Sequence, residues 1–506
     1  MLPAIEYLGH AGFAVEFAGR RLLIDPWFYP AFLASWFPYP DNRNLLAPLA
    51  KESFDYLYVS HTHEDHFDER FLRTLDKSIV ILCPAYRTKS LQKRFVALGF
   101  DRIVPLAHKE SLRLAPNFVA TMLLDTGHKE DSGLLLDMGG FRFLDLNDCN
   151  APLSELPTKI DVLAAQFSGA MWYPNCYDYS PNVMREKVAA VRDGLLNCLA
   201  SKCRATEAKA YLPCAGPPIF LDPILEPHTR REETIFPIWV DVDATFRTTC
   251  PKLTVLPCQP GDRLTVANGA ATIEPGLQEQ PDSELHAYRA RRRDEWQAFH
   301  DSSDRPVSFE ELTAYFAKLQ KRNRHLLRDF SKMLQVAADG RVWNVRLGEL
   351  AEDHEIDGEE PYPPDYALEV PTRVLRAVVD GVVGWEEALL SMRVRLRRSP
   401  DVFDSRLMGL LRYGHEPVQT LHMTREMAST ETIERDGLRL QRFCPHGSED
   451  LTYATVCNGV IQCPRHHWKW DIRTGKCIEG GDLKLRIEIL ANRPTPTCGK
   501  GANDAE

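Results

Sequence analysis

The chain carries two dense groups of side chains able to hold metal. Residues 444 to 476 read CPHGSEDLTYATVCNGVIQCPRHHWKWDIRTGK. Cys444 and His446 are separated by one residue, and after sixteen intervening residues come Cys463 and then His466. Two thiolates and two imidazoles at this spacing suit zinc or iron. Far upstream, residues 56 to 68 read YLYVSHTHEDHFD. His61 and His63 follow an apolar run of strand type, and alternate residues of an extended backbone point the same way. Asp65 and His66 come as the chain turns toward a helical stretch. His128 precedes, and Asp148 follows, two apolar runs joined by Gly139-Gly140, SGLLLDMGGFRFLDLND. An antiparallel hairpin with that turn brings both positions to one end. Imidazoles and carboxylates gathered in this way suit a Lewis-acidic metal that activates water or dioxygen.

The elements that must position these groups are legible in outline. A chain of 506 residues exceeds one ordinary core and predicts two or three domains. Residues 1–265 alternate β-rich runs (IEYLGH, GFAVEF, RRLLIDP, YLYVS, SIVILC, RIVPL) with helical stretches such as ERFLRTL, an α/β pattern. Residues 266–425 begin helical and highly charged, as in FEELTAYFAKLQKRNRHLLRDFSKML, and continue mixed, predicting a substrate wall or docking surface. Residues 426–492 form the cysteine-rich module of short strands. The tail 493–506, RPTPTCGKGANDAE, has the composition of a disordered segment.

Composition narrows the function classes. The formal charge of −10 argues against a nucleic-acid partner. No apolar run reaches membrane-spanning length, and the opening MLPAIEYLGHAGFAVEF lacks the basic region of a signal peptide, so a cytoplasmic protein is expected. The thirteen cysteines are scattered, which in a reducing compartment favours thiols and metal ligands over disulfides.

Both metal motifs resemble known families. C-P-H-G, then C-P-x-H-x-W, then an aromatic-Asp-x-x-Thr-Gly hairpin closely resembles the Rieske [2Fe–2S] domain. That resemblance implies that Cys444 and Cys463 hold one iron, and His446 and His466 the other. His467 competes by proximity, but the usual two-residue gap selects His466. Gly447 and Ser448 after the first His, and His467 and Trp468 after the second, replace the extra cysteine pair of respiratory Rieske proteins, so the module resembles the lower-potential oxygenase type. The H-x-H-x-D-H run resembles the metallo-β-lactamase superfamily, whose fold is an αββα sandwich. The resemblance implies a first metal on His61, His63 and His128, and a second on Asp65, His66 and a bridging Asp148. Asp25, in LLIDPW, and His10, in LGHAGF, match motifs of its lactonase-like and phospholipase-D-like members, where they are expected to orient ligands or meet substrate. Many members supply a last His after a later strand, where this chain reads YLPCAGPPIF. Cys214 there either substitutes as ligand or lies in a buried turn, and the site is either mononuclear or asymmetric.

A metallo-hydrolase has no use for electrons, whereas a Rieske cluster passes them singly. The pairing resembles the CMP-N-acetylneuraminate hydroxylase family, with the domain order reversed. CAGP with FLDP, PGDRL, WEEAL and RSPDVFDS are further points of likeness. The expected fold class is α/β: an N-terminal metallo-β-lactamase-like αββα sandwich, a mixed α/β middle region and a small all-β Rieske domain. The expected function is a Rieske-type non-haem iron monooxygenase. In it the cluster feeds electrons to one or two irons on His61, His63, Asp65, His66, His128 and Asp148, and O2 hydroxylates a C–H or N–H bond of a small, sugar-nucleotide-like substrate. The implied partners are that substrate, O2 and an external electron donor of reductase, ferredoxin or cytochrome b5-like type, with homo-oligomerisation left open. The alternative is a zinc hydrolase of an ester, lactone or phosphodiester with a regulatory Rieske cluster.

Overall fold

Alternation of side chains along the first strands sets the architecture. Ile5, Phe13, Val15, Leu22 and Ile24 point into one core, while Leu8, Ala14 and Leu23 point into another on the opposite face. Strands buried on both faces need a layer on each side, which the next elements supply. In the computed structural model, eight strands form one sheet in the order Ala270–Glu274, Arg263–Ala267, Ala4–Gly9, Gly12–Phe17, Arg20–Ile24, Tyr56–Tyr58, Val80–Pro84, Ile103–Leu106. Seven strands form a second sheet, Thr254–Val255, Ala210–Cys214, Val162–Gln166, Phe141–Asn147, Ser132–Met138, Phe118–Leu124, Ser111–Ala115. The inter-sheet core includes Phe13, Phe118 and Phe143. Helices Ser90–Ala97 on one outer face and Pro181–Ala205 and Trp239–Thr249 on the other complete four layers, with Leu91 and Phe95 in one outer core and Leu196, Leu199 and Phe246 in the other. The first sheet runs past residue 265, where the domain boundary was expected, to Glu274.

The structure describes residues 2–490 apart from 126, 230–232, 268–269, 277–284, 302–304, 349–355, 358–363, 447–448, 464–467 and 482. The expectation for the tail 493–506 therefore lies outside the described residues. Among the described residues, no helix is long and apolar enough to cross a membrane.

The middle region is a five-stranded sheet in the order Ile356–Asp357, Arg341–Gly348, Ser331–Ala338, Tyr366–Glu369, Arg395–Arg398, with helices Phe309–Arg322, Thr372–Val379, Trp385–Leu390, Ser405–Tyr413 and Pro417–Met427. The first of these helices starts at a reciprocal cap. Ser308 Oγ accepts from Glu311 N at 3.2 Å, and the Glu311 carboxylate accepts from Ser308 N at 2.8 Å. This region does not stand apart. Phe32, Trp36, Phe220 and Phe236 of the first domain share one core with Trp385, Leu389, Leu390 and Leu411. Trp36 is the wedge: it is fully buried, its Nε1 donates to Leu390 O at 2.7 Å, and its ring meets Phe32, Phe220 and Phe236 edge-on. The C-terminal module has a three-stranded sheet (Thr432–Arg435, Leu438–Gln441, Ile487–Ile489) and a four-stranded one (Thr455–Cys457, Val460–Gln462, Lys469–Asp471, Cys477–Glu479).

The shared core gives a first prediction. Trp36→Ala should destabilise the chain by about 3–5 kcal/mol, because it leaves a cavity and an unpaired carbonyl at the junction. Urea unfolding followed by circular dichroism measures it, and a loss below about 1 kcal/mol would show that the wedge does not hold the two parts together.

Candidate metal centre

The loop that leaves strand Tyr56–Tyr58 is folded by its own backbone before any ligand is considered. His66 N and Phe67 N both donate to His63 O, at 3.1 and 2.7 Å, closing a tight turn. Asp68 then caps the short helix Glu69–Leu72, accepting from Phe71 N at 3.0 Å, and also accepts from Phe28 N and Tyr29 N at 2.8 and 2.9 Å. Ser60 anchors the other end. Its N and Oγ donate to the two oxygens of Asp25 at 2.7 and 2.6 Å, while its carbonyl accepts from the Tyr86 hydroxyl and from Ser132 Oγ. Both sheets are thereby tied to this one residue.

The rings are aimed by these anchors. Asp25 Oδ2 lies 2.8 Å from His66 Nδ1, and Ser60 Oγ lies 3.0 Å from His61 Nδ1, leaving the Nε2 atom of each ring turned away. His61 Nε2, His66 Nε2, His63 Nδ1, Asp65 Oδ1 and His10 Nε2 are all buried without a hydrogen-bond partner. Buried polar atoms left this way are costly, and a cation is what such a donor set fits. Two tight groups result, each with ligand atoms mutually within 4.8 Å: His61, His66 and Asp148 in one, His10, Asp65 and His66 in the other. His63 and His128 belong to neither group at that spacing, although the His63 ring lies 4.5 Å from that of His61.

Burial and charge act on these groups in opposite directions. Burial, with His66, His63 and His10 nearby, pushes the His61 imidazole well below its ordinary value, favouring the neutral form that can bind a metal. Burial also works against a charged His66, but Asp25 and Asp65 overcome it and raise this imidazole to about 10. Burial would raise Asp65, yet His66 and His10 hold it at about 2. Asp148 is raised by burial, and Asp131 is pushed well up by burial and by Asp148 beside it.

Two carboxylates that the sequence reading missed come from helices that follow the first domain, Glu386 from the middle region and Glu426 from where the cysteine-rich module was expected to begin. Glu426, in the helix Pro417–Met427, places Oε2 2.7 Å from His128 Nδ1 and Oε1 2.9 Å from His422 Nε2. Glu386 lies 3.9 Å from His63 Nε2 and pairs with Arg412. Burial would raise Glu386, but Arg412 and His63 hold it at about 2. WEEAL contains Glu386, so the segment was visible, but its reach to His63 was not.

Cys214 settles as a core residue. It is fully buried between the sheets, and burial pushes its thiol well up. None of the twelve described cysteines is in a disulfide. In the C-terminal module, Cys444 N donates to Glu449 O at 2.8 Å and Cys463 N to Trp468 O at 2.9 Å, closing the two loops that carry the thiols. Both cysteines are buried, and the His446 ring stacks on Trp468 with centroids 4.1 Å apart. His466 and its neighbour His467 lie outside the described residues. Trp468 is seated against Gly481, where a Cβ would come within 2.0 Å of its ring. Phe403 of the middle region touches both rings, with centroids 5.6 Å from His446 and 5.9 Å from Trp468. Asp450 accepts from Ser154 of the first domain at 2.8 Å and meets Arg442 at 3.2 Å, so the module is docked on both other parts.

Comparison with known proteins agrees with this division. Residues 4–172 match the beta-lactamase superfamily domain and residues 419–486 the Rieske [2Fe-2S] domain. The chain is 28% identical to a Rieske 2Fe-2S iron-sulfur protein of Mycolicibacterium smegmatis, over 96% of this chain and all of that one. It is 23% identical to the cytidine monophosphate-N-acetylneuraminic acid hydroxylase of Cricetulus griseus, over 79% of this chain and 73% of the hydroxylase. Among solved structures it is similar to CmlA, a diiron beta-hydroxylase from Streptomyces venezuelae, with 18% identity, a TM-score of 0.36 and coverage of 52% of this chain and 54% of that one. One chain therefore joins a metallo-β-lactamase-fold domain to a C-terminal Rieske [2Fe–2S] domain.

Proposed function

We propose that this chain is a Rieske-type non-haem iron monooxygenase acting on a small, sugar-nucleotide-like substrate. The observation that carries the reading is the buried, unpartnered set His61 Nε2, His63 Nδ1, Asp65 Oδ1 and His66 Nε2 in a chain that also holds a Rieske domain. The relative named as a CMP-N-acetylneuraminic acid hydroxylase supports the hydroxylase class and the substrate class.

Cys444, His446, Cys463 and His466 would hold the cluster, and His61, His63, Asp65, His66, His128 and Asp148 would hold the iron. Bound there, the two centres supply single-electron transfer and O2 chemistry, for which an external reductase, ferredoxin or cytochrome b5-like protein provides the electrons. The rest is done by side chains. Asp25 and Glu426 each grip the Nδ1 of a ligand ring, fixing the tautomer that leaves Nε2 for the metal. Arg412 keeps Glu386 ionised beside His63, as a fixed negative charge at the rim. Phe403 and Gly481 hold the ring stack at His446 in place.

Anaerobically purified protein should carry roughly three or four irons and two acid-labile sulfides per chain, with a Rieske-type EPR signal after dithionite. Cys463→Ser should abolish that signal, and His61→Ala should keep it while stopping substrate-dependent O2 uptake. About two irons with one or two zincs, and turnover without reductant, would instead identify a hydrolase.

Glu426 gives a finer test. Glu426→Ala should weaken retention of the His-bound metal by about 10–100-fold, measured by competition with a chelator, while leaving the cluster signal intact. Unchanged retention would remove Glu426 from the ligand-orienting role.

A further inference from the structure

Resting on the oxygenase reading, we infer that His10 is a direct metal ligand, and that with Asp65, His66 and Asp148 it completes a second metal position. The sequence led to the expectation that His10 orients ligands or meets substrate, and left open whether Cys214 replaces the ligand expected after strand Ala210–Cys214. The structure supplies one from a different turn.

His10 lies in the two-residue connection between strands Ala4–Gly9 and Gly12–Phe17, 4% exposed. Its Nε2 is 3.2 Å from Asp65 Oδ2, outside hydrogen-bond geometry, and has no other hydrogen-bond partner. Two donors each about 2.0–2.1 Å from one tetrahedral ion are about 3.3 Å apart, so this spacing is that of a shared ion. His66 contributes Nε2, since its Nδ1 is taken by Asp25, and the three ligand atoms lie mutually within 4.8 Å. Asp148 Oδ2 is 3.8 Å from His66 Nε2, placing that carboxylate between this group and the one containing His61.

The ring of His10 is held rigidly. Trp27 packs edge-on against it with centroids 4.7 Å apart, and His66 does so at 5.4 Å. Its backbone sits at φ 51°, in the left-handed region where glycine is the easier residue. That conformation is held by two bonds to its carbonyl, from the Tyr7 hydroxyl at 3.0 Å and from Ala215 N at 2.9 Å. Ala215 is the residue after Cys214. The place where the expected histidine is missing is thus hydrogen-bonded to the residue that takes over its role.

The test counts zinc, which is distinguishable from cluster iron. The intact chain, with its cluster in place, is stripped of other metal by dialysis against a chelator and equilibrated with Zn(II). Zinc, iron and sulfide are then measured together. The unsubstituted chain should bind two zinc ions, and His10→Ala should bind one, or bind the second about 100-fold more weakly, with iron, sulfide and melting temperature unchanged. Added imidazole should restore the second zinc to His10→Ala. His10→Gln, which keeps bulk in the turn, should show the same loss if the alanine variant folds poorly. Two tightly bound zinc ions in either variant would overturn the assignment, as would a single ion in the unsubstituted chain. In that last case the oxygenase reading survives if His61→Ala removes the remaining ion. No bound zinc at all in the unsubstituted chain would sink the oxygenase reading itself.

Discussion

The arrangement at the mouth of the first domain depends on balancing charge where water is absent. His10, His61, His66, Asp25, Asp65, Asp145 and Asp148 are all buried at one end of the two facing sheets. An ion taken from water costs several kcal/mol unless a partner of opposite sign compensates it. The carboxylates answer in part by holding a proton on His66, which Asp25 and Asp65 raise to about 10. A divalent cation satisfies the same carboxylates better, since it meets several of them at once and also takes the lone pairs of neutral imidazoles such as His61. Binding metal and displacing that proton are therefore one event. Ser60 makes this possible: it ties Asp25, Tyr86 and Ser132 to the loop, so the ligand set is built before the cation arrives.

The middle region closes the site as well as bordering it. Trp36, Trp385 and Leu411 belong to one continuous core across the junction, which fixes the helices that carry Glu386 and Glu426 relative to the histidines. A carboxylate aimed by a shared core can hold a ring to the few tenths of an ångström that metal binding needs, whereas one on a free loop could not. The same logic applies at the other end. Phe403 packs against His446 and Trp468, and Asp450 bonds Ser154, so the Rieske module is positioned from both sides.

What could be read from the sequence followed from local rules. The H-x-H-x-D-H run lay within a few residues of one strand, and the Gly139-Gly140 hairpin implied that His128 and Asp148 share an end. Strands Ser132–Met138 and Phe141–Asn147 do pair antiparallel across that turn. The Cys444 and Cys463 loops were legible for the same reason, since the spacing within each motif is the structural unit. Glu426 was not, because it lies 298 residues from His128 and no periodicity encodes contact across that separation. The surroundings of His10 were hidden for a related reason. Its motif was seen, but nothing in the strand pattern says that the turn after Ala4–Gly9 and the end of Ala210–Cys214 adjoin, which only the hydrogen bond from Ala215 to His10 makes plain.

Moving a ligand to that turn changes what the end of Ala210–Cys214 can do. It continues as Ala215-Gly216-Pro217-Pro218, of which Ala215 and Pro218 line a closely packed crevice together with His10, Asp65, Asp148 and Ser168. Gly216 is needed there, since a Cβ would fall 2.6 Å from the Ser168 side chain. The small side chains of Ala215 and Ser168 let that end of the second sheet close over His10, Asp65 and Asp148.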